Sequence, residues 1–188
     1  MGYKKIMELL EAAKMGDLDK IKLLIDKNYD INYEELKRRG IKCLLFDLDN
    51  TIATFDEEVP DKKLKDFFLY LEELGFKNII MSNSPRKRVA PFKENCNIDS
   101  ACKSMKPFKT KYIKIMKMYS FLDTQVACIG DQLLTDVFGA NRLGLTSILV
   151  NPISSKEKAV TKINRKVENV IYKHFLKRGI FKKGEYYD

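Results

Sequence analysis

Nine residues, Cys43 to Thr51, constrain this chain more than any other stretch. Cys43-Leu44-Leu45-Phe46 is a continuous apolar run, and it breaks off abruptly at Asp47-Leu48-Asp49-Asn50-Thr51. A short apolar run without alternation, bounded by a turn, reads as a strand buried on both faces, as in a parallel sheet. Two carboxylates one residue apart at its C-terminal end stand where open α/β sheets keep their ligands. Successive side chains of an extended chain point to opposite sides. One carboxylate can therefore attack a substrate, while the other is reached only after the backbone turns. The pair suits a nucleophile and an acid/base, with a metal ion between them.

The rest of the chain supplies the sheet this strand needs. Strands are expected at about 41–46, 77–81, 98–103, 126–129 and 146–150. Asp61 to Leu74 carries Leu64, Phe67, Phe68, Leu71 and Leu74 at helical spacing, and Gly75 ends that helix. Further helices fall at Asn32–Arg39, after Pro85, at Lys109–Tyr119, at 133–142 and at Ser154–Arg178, with Asn32 as an N-cap and Gly40 as a stop. Strands alternating with helices specify an α/β fold: a doubly wound, mostly parallel, five-stranded Rossmann-like sheet.

Upstream, residues 6–27 read as two short helices broken at Gly16-Asp17, with Leu18, Ile21, Leu24 and Ile25 forming the second stripe. The string from Leu9 to Asn32 resembles the helical half of an ankyrin repeat, in a single copy. One such repeat cannot bury its own face, so a helical hairpin docked on the main domain is expected. The domain plan is thus a helical extension at 1–32, a core at 33–153, and a basic amphipathic helix and tail at 154–188.

Composition narrows the classes. No apolar run approaches the roughly 20 residues of a membrane-spanning helix, and Met1 to Leu10 mixes Lys and Glu with Leu, unlike a secretory signal. Cys43, Cys96, Cys102 and Cys128 form no C-x-x-C pair, and His174 is the one histidine. That argues against structural zinc and for a reducing cytosol. Of the net charge of +9, the segment from Lys156 onward carries +6. In that segment Val160, Ile163, Val167, Val170, Ile171 and Phe175 form one stripe, with Lys162, Arg165, Lys166, Lys173 and Lys177 on the remainder. Such a helix either packs on the sheet or lies on an anionic bilayer. Nucleic acid ranks lower as a partner, because aromatic interleaving and recognition motifs are missing. The expected location is cytoplasmic, with peripheral contact at the inner face of the membrane through residues 156–183 as the alternative to packing on the core.

Three strand ends finish in reactive groups: the first in Asp47 and Asp49, the second in Ser82, the fourth in Asp131, with Asp136 five residues later. Lys106 lies in the connection before the fourth strand. Taken singly, each residue is more simply a cap or a turn. In a parallel sheet these ends converge. A carboxylate cluster is costly unless a cation compensates it. Oxygen ligands favour a hard ion, with Mg²⁺ as the default. With a hydroxyl and an ammonium added, the site suits a phosphate dianion.

DLDNT, Ser82, Lys106 and GDQLLTD, in this order and spacing, resemble the four motifs of the haloacid-dehalogenase superfamily. DINYEELKRRGIKCLLFDLDNT, SNSPRKRV, GDQLLTDVFGANRLG and TSILVNPI are similar to the YqeG family of capless phosphatases (subfamily IIIA). That family is related to the mitochondrial phosphatase that converts phosphatidylglycerophosphate to phosphatidylglycerol. The resemblance covers about residues 30–180, and residues 1–29 fall outside it. It implies that Asp47 is the nucleophile, forming an aspartyl-phosphate, and that Asp49 is its acid/base. It implies Mg²⁺ held by the carboxylates of Asp47 and Asp131 and the main-chain carbonyl of Asp49. Ser82 and the backbone near Asn83 would hold a phosphoryl oxygen, Lys106 would offset its charge, and Asp136 would orient Lys106 or a metal-bound water. Neither the gap from Asp49 to Ser82 nor that from Ser82 to Lys106 has room for a cap domain, so a substrate presented by something large, such as a phospholipid headgroup, is expected. A soluble phosphatase for a small or nucleotide-like phosphate, and a non-catalytic docking module, stand as alternatives.

Overall fold

The computed structural model of the chain describes residues 21–25, 30–156 and 159–177. Its strands are β1 (Ile21–Ile25), β2 (Cys43–Phe46), β3 (Lys77–Met81), β4 (Asp99–Ala101), β5 (Val126–Gly130) and β6 (Thr146–Val150). They form one six-stranded sheet in the order β1-β6-β5-β2-β3-β4, with every pairing parallel. The helices are α1 (Tyr33–Arg38), α2 (Lys62–Glu73), α3 (Arg86–Cys96), α4 (Thr110–Tyr119), α5 (Phe138–Asn141) and α6 (Ala159–Lys177). A π-helical turn, Leu133–Val137, runs into α5.

Five strands stand where the hydrophobic pattern places them. The sixth is a correction. Ile21, Leu24 and Ile25 are not in a helix: they belong to edge strand β1, which pairs Ile21 with Ser147 and Ile25 with Val150. The run Ile-Lys-Leu-Leu-Ile is too short to separate the two periodicities. The edge of β6 offers backbone groups that need partners, and that pairing decides the outcome. The rest of the expected helical stretch, residues 6–20 and 26–27, lies outside the described residues.

Local signals set the helix ends. Asn32 caps α1, its Oδ1 accepting from the Glu35 N–H at 2.9 Å. Asp61 caps α2 in the same way, accepting from the Leu64 N–H at 2.7 Å. Each cap contributes on the order of 1 kcal/mol. Gly40 and Gly75 follow α1 and α2 at φ 87° and 88°, a left-handed region that favours glycine.

Side chains of the central strands alternate between two cores. Leu44 and Phe46 of β2 face Phe67, Phe68 and Leu71 of α2 and Val89 and Phe92 of α3. Phe46 meets Phe68 edge-on, with ring centroids 5.3 Å apart and planes at 90°. Cys43 and Leu45 face the other way, onto Tyr112 and Ile115 of α4 and Cys128 of β5. Burial pushes the Cys43 thiol up to about 12, as befits a cysteine packed as a small apolar residue.

This architecture positions the site. Successive connections from β2 run toward β3 on one side, while β5 lies on its other side, paired Phe46 to Ile129. The strand order therefore reverses between β2 and β5, and a crevice opens beyond their C-terminal ends. Only a loop and α2 separate β2 from β3, and only α3 and β4 lie between β3 and Lys106. Among the described residues no cap domain covers the crevice.

Candidate active site

The Asp47 N–H donates to the Ile129 carbonyl at 2.9 Å, which fixes its carboxylate at the β2–β5 seam. A tight turn follows. The Leu48 carbonyl accepts from the N–H groups of Thr51, Ile52 and Ala53 at 3.1–3.3 Å. Asn50 sits at φ 66°, a left-handed conformation that asparagine tolerates. This turn carries Asp49 away from Asp47. Ser84 Oγ donates to Asp49 Oδ2 at 2.6 Å, and Arg88 Nε donates to Oδ1 at 2.9 Å. Arg88 also donates to the carbonyls of Glu57 and Thr54, binding the loop after the turn to α3.

Lys106 arrives on a loop with Lys103 at φ 47° and Met105 at φ 56°. Asn83 pins that loop with its side chain, accepting from the Lys106 N–H at 2.7 Å and donating to the Lys106 carbonyl at 3.1 Å. Asn83 therefore touches the Lys106 backbone while it lines the cleft. Ser82 is buried, and its Oγ accepts from the Ser84 N–H at 3.1 Å.

The Lys106 ammonium reaches Asp47 Oδ1 at 2.7 Å and Asp136 Oδ1 at 2.5 Å. The other oxygen of Asp136 accepts from the Gln132 N–H at 3.1 Å. Any side chain at position 130 would put its Cβ 2.3 Å from Asp136 Cγ, so the end of β5 requires glycine. Asp131 is buried, and Thr51 Oγ1 donates to its Oδ1 at 3.1 Å.

Asp47, Asp131 and Asp136 bring carboxylate oxygens within 4.8 Å of one another. Three buried acids against few cations make an all-oxygen set for a hard divalent ion. The Asp49 carboxylate is not part of that group; it is held by Ser84 and Arg88. Burial pushes Asp47 up to about 6, and the attraction of Lys106 only partly opposes this. Burial likewise drives Asp131 well above the usual carboxylate range, against the pull of Arg165. For Lys106, burial works downward, but Asp136 and Asp47 together outweigh it and hold the ammonium firmly protonated.

A cleft of about 350 Å³ opens over these groups, lined by Asp47, Asp49, Ser82 and Lys106 and closed on one side by Gln132, Thr135, Thr161 and Asn164. The last two come from α6. The spacing of its charges puts Arg165 among solvated lysines. The structure turns it inward: Arg165 Nη1 donates to the Asp131 carbonyl at 2.5 Å, and Nη2 is paired with the Asp131 carboxylate. Glu168, 0% exposed, accepts from Arg165 Nη1 and from the Leu134 N–H, each at 3.0 Å. An opposite-charge pair three residues apart on a helix reads as a solvated surface pair, so nothing in the sequence marked it. Arg88 was more legible, four residues after Ser84 on the first turn of α3.

A family model described as haloacid dehalogenase-like hydrolase matches residues 3–144, which include every strand end in the crevice. The chain belongs to that family. As a haloacid dehalogenase-like hydrolase, it is similar to "Probable phosphatase YqeG" of Bacillus subtilis (strain 168), with 35% identity over 80% of this chain and 88% of that protein. It also resembles "Phosphatidylglycerophosphate phosphatase 1, chloroplastic/mitochondrial" of Arabidopsis thaliana, with 25% identity over 80% of this chain and 46% of the plant protein. A crystal structure of an uncharacterized protein from Listeria monocytogenes serotype 4b shares the fold, with TM-score 0.51 and 16% identity, covering 70% of this chain and 99% of that one. The α6 residues at the cleft lie beyond the segment that the family model matches.

Proposed function

We propose that this hydrolase is a Mg²⁺-dependent phosphomonoesterase, with phosphatidylglycerophosphate as its substrate. One observation carries the chemistry. Asp47 lines the cleft against a lysine, while the second aspartate of the motif lines the same cleft, 2.6 Å from a serine hydroxyl. Asp47 attacks phosphorus through a carboxylate oxygen. The bond to the alcohol oxygen breaks, and an aspartyl-phosphate forms. Asp49 takes up a proton on leaving Arg88 and gives it to the departing alcohol, then takes one from the water that hydrolyses the acyl-phosphate. Ser82 and the N–H groups near Asn83 hold a phosphoryl oxygen, and Lys106 offsets the charge shared by Asp47 and the phosphoryl group. Asp136 keeps Lys106 in place. Mg²⁺, held by the carboxylates of Asp47 and Asp131 and the carbonyl of Asp49, would neutralise charge between nucleophile and phosphate.

The plant relative's name supports the lipid substrate, and the polar lining of the cleft is compatible with it. Its wall offers hydroxyls and amides, which suit a hydroxylated headgroup. No aromatic side chain among the described residues lines it to stack on a base. The decisive assay is a panel of phosphatidylglycerophosphate in mixed micelles, glycerol 3-phosphate and a nucleoside monophosphate, run with Mg²⁺ and with EDTA. Hydrolysis that favours the lipid and drops at least about 100-fold in EDTA is expected, in keeping with the weight of metal catalysis. Equal turnover in EDTA would refute the metal, and a preference for the nucleotide would refute the substrate.

Peripheral contact with an anionic bilayer belongs to the same proposal, but exposed loops that follow the strands support it better than the helix stripe does. Ile171 and Tyr172 of α6 are buried, Val167 is half-buried and Val170 is exposed. The side chains of Val160, Ile163 and Phe175 lie outside the described residues. Phe55, Val59, Met105, Phe108 and Ile153 are all exposed on loops that follow β2, β4 and β6. Among the described residues no helix is long and apolar enough to cross a membrane. Met105→Ser/Phe108→Ser is expected to lower sedimentation with vesicles containing phosphatidylglycerol several-fold. Undiminished sedimentation would move the contact elsewhere.

A further inference from the structure

We infer that Arg165 competes with the divalent cation for Asp131: the guanidinium grips the carboxylate that the ion would need. The inference rests on the metal reading of the site. Its evidence is the arrangement of α6. Both carboxylate oxygens of Asp131 are engaged, Oδ1 by the Thr51 hydroxyl and Oδ2 by the Arg165 guanidinium. The same guanidinium also takes the Asp131 carbonyl, so it is fitted to this residue at two points. A guanidinium presents its donors in a rigid fork suited to such a grip.

The grip is anchored from behind. Glu168 has no exposure to solvent, and a buried carboxylate is retained only where it is paired. Its two oxygens divide between the Leu134 N–H, at the start of the π-helical turn, and Arg165. Glu168 thus ties α6 to the segment that carries Asp136, and it aims Arg165 at Asp131. In the same helix Asn164 Nδ2 donates to Gln132 Oε1 at 3.2 Å, closing the wall of the cleft.

A divalent ion held by Asp47 and Asp131 needs the charge that Arg165 is neutralising. Two cations on one buried carboxylate repel each other across a short, poorly screened distance. Ion binding must therefore weaken the Arg165 contact, and with it the seat of α6. By reciprocity, whatever holds Arg165 on Asp131 lowers affinity for the ion. Arg165 is a positioning residue in this scheme: it acts through Asp131 and through the helix that walls the cleft.

Calorimetric titration with MgCl₂ tests this on the full chain. Arg165→Met is expected to bind Mg²⁺ about tenfold more tightly than wild type, a coupling of ordinary size. Arg165→Lys, which keeps the charge but loses the fork, should fall between them. Because Arg165→Met leaves Glu168 buried without its partner, Arg165→Met/Glu168→Gln provides a second comparison, with circular dichroism to show that α6 is intact. Amide exchange across residues 159–177 should rise on adding Mg²⁺ to wild type and stay flat in Arg165→Met. Equal or weaker Mg²⁺ binding by both folded variants overturns the competition, as does exchange in α6 that ignores Mg²⁺. Mg²⁺ binding by none of the proteins, wild type included, overturns the metal reading itself along with it.

Discussion

Replacing Asp47 with Asn abolishes turnover, with an expected loss of roughly 10⁴-fold or more, equivalent to about 5.5 kcal/mol of transition-state stabilisation. The amide keeps the size and hydrogen-bonding reach of the carboxylate but has no oxygen able to form the acyl-phosphate. The fold should survive. Asp47 sits with Asp131 and Asp136 in a buried cluster that holds more carboxylates than Lys106 alone can offset, so losing one charge relieves repulsion. Steady-state phosphatase assays together with thermal unfolding separate the two effects. Residual activity above a tenth of wild type would mean that another group attacks phosphorus.

Lys106→Met has the second largest effect, and it falls on stability as well as activity. Lys106 is about as buried as the two acids it bridges, with side-chain exposure of 5% against 7% for Asp47 and 4% for Asp136. Methionine preserves the bulk of the stem and removes the ammonium, leaving two dry carboxylates facing each other. Breaking a buried pair in this way costs about 3–5 kcal/mol, which lowers the unfolding midpoint of a chain this size by roughly 6–20 °C. Activity should fall about 10²–10³-fold through lost charge stabilisation. Lys106→Met/Asp136→Asn, which removes one of the stranded charges, should recover part of the midpoint and none of the rate. A single variant as stable as wild type would show that the cluster is hydrated rather than dry.

Much of this site was legible because its chemistry sits at strand ends. Asp47, Ser82 and Asp131 each follow an apolar run, and the parallel sheet then has to bring them together. Lys106 and Asp136 were legible through spacing to those ends. What the sequence hid depends on tertiary contacts that leave no periodic trace. Arg165 and Glu168 occupy helix positions that look solvated, and only the docking of α6 turns them inward. Asn83 was expected to offer its backbone, and its side chain proves to be the clamp on the Lys106 loop. Ile21–Ile25 was misread for a different reason: five residues with one lysine satisfy a helical stripe and a strand equally, and the neighbour that decides between them is far away in the chain.

That neighbour gives β1 a place in time as well as in space. During synthesis the chain emerges from its N-terminus, yet Ile21–Ile25 finds its partner only when Thr146–Val150 has been made. The inner strands β2, β3 and β5 can assemble first, since β2 pairs with both of the others. Among the described residues, the first strand to be made is thus among the last to be seated, and it extends the sheet by pairing across more than a hundred residues of sequence. Contacts of such long sequence separation form slowly. The half-made protein therefore carries an apolar segment waiting for its edge, the interval in which a chaperone would be needed most.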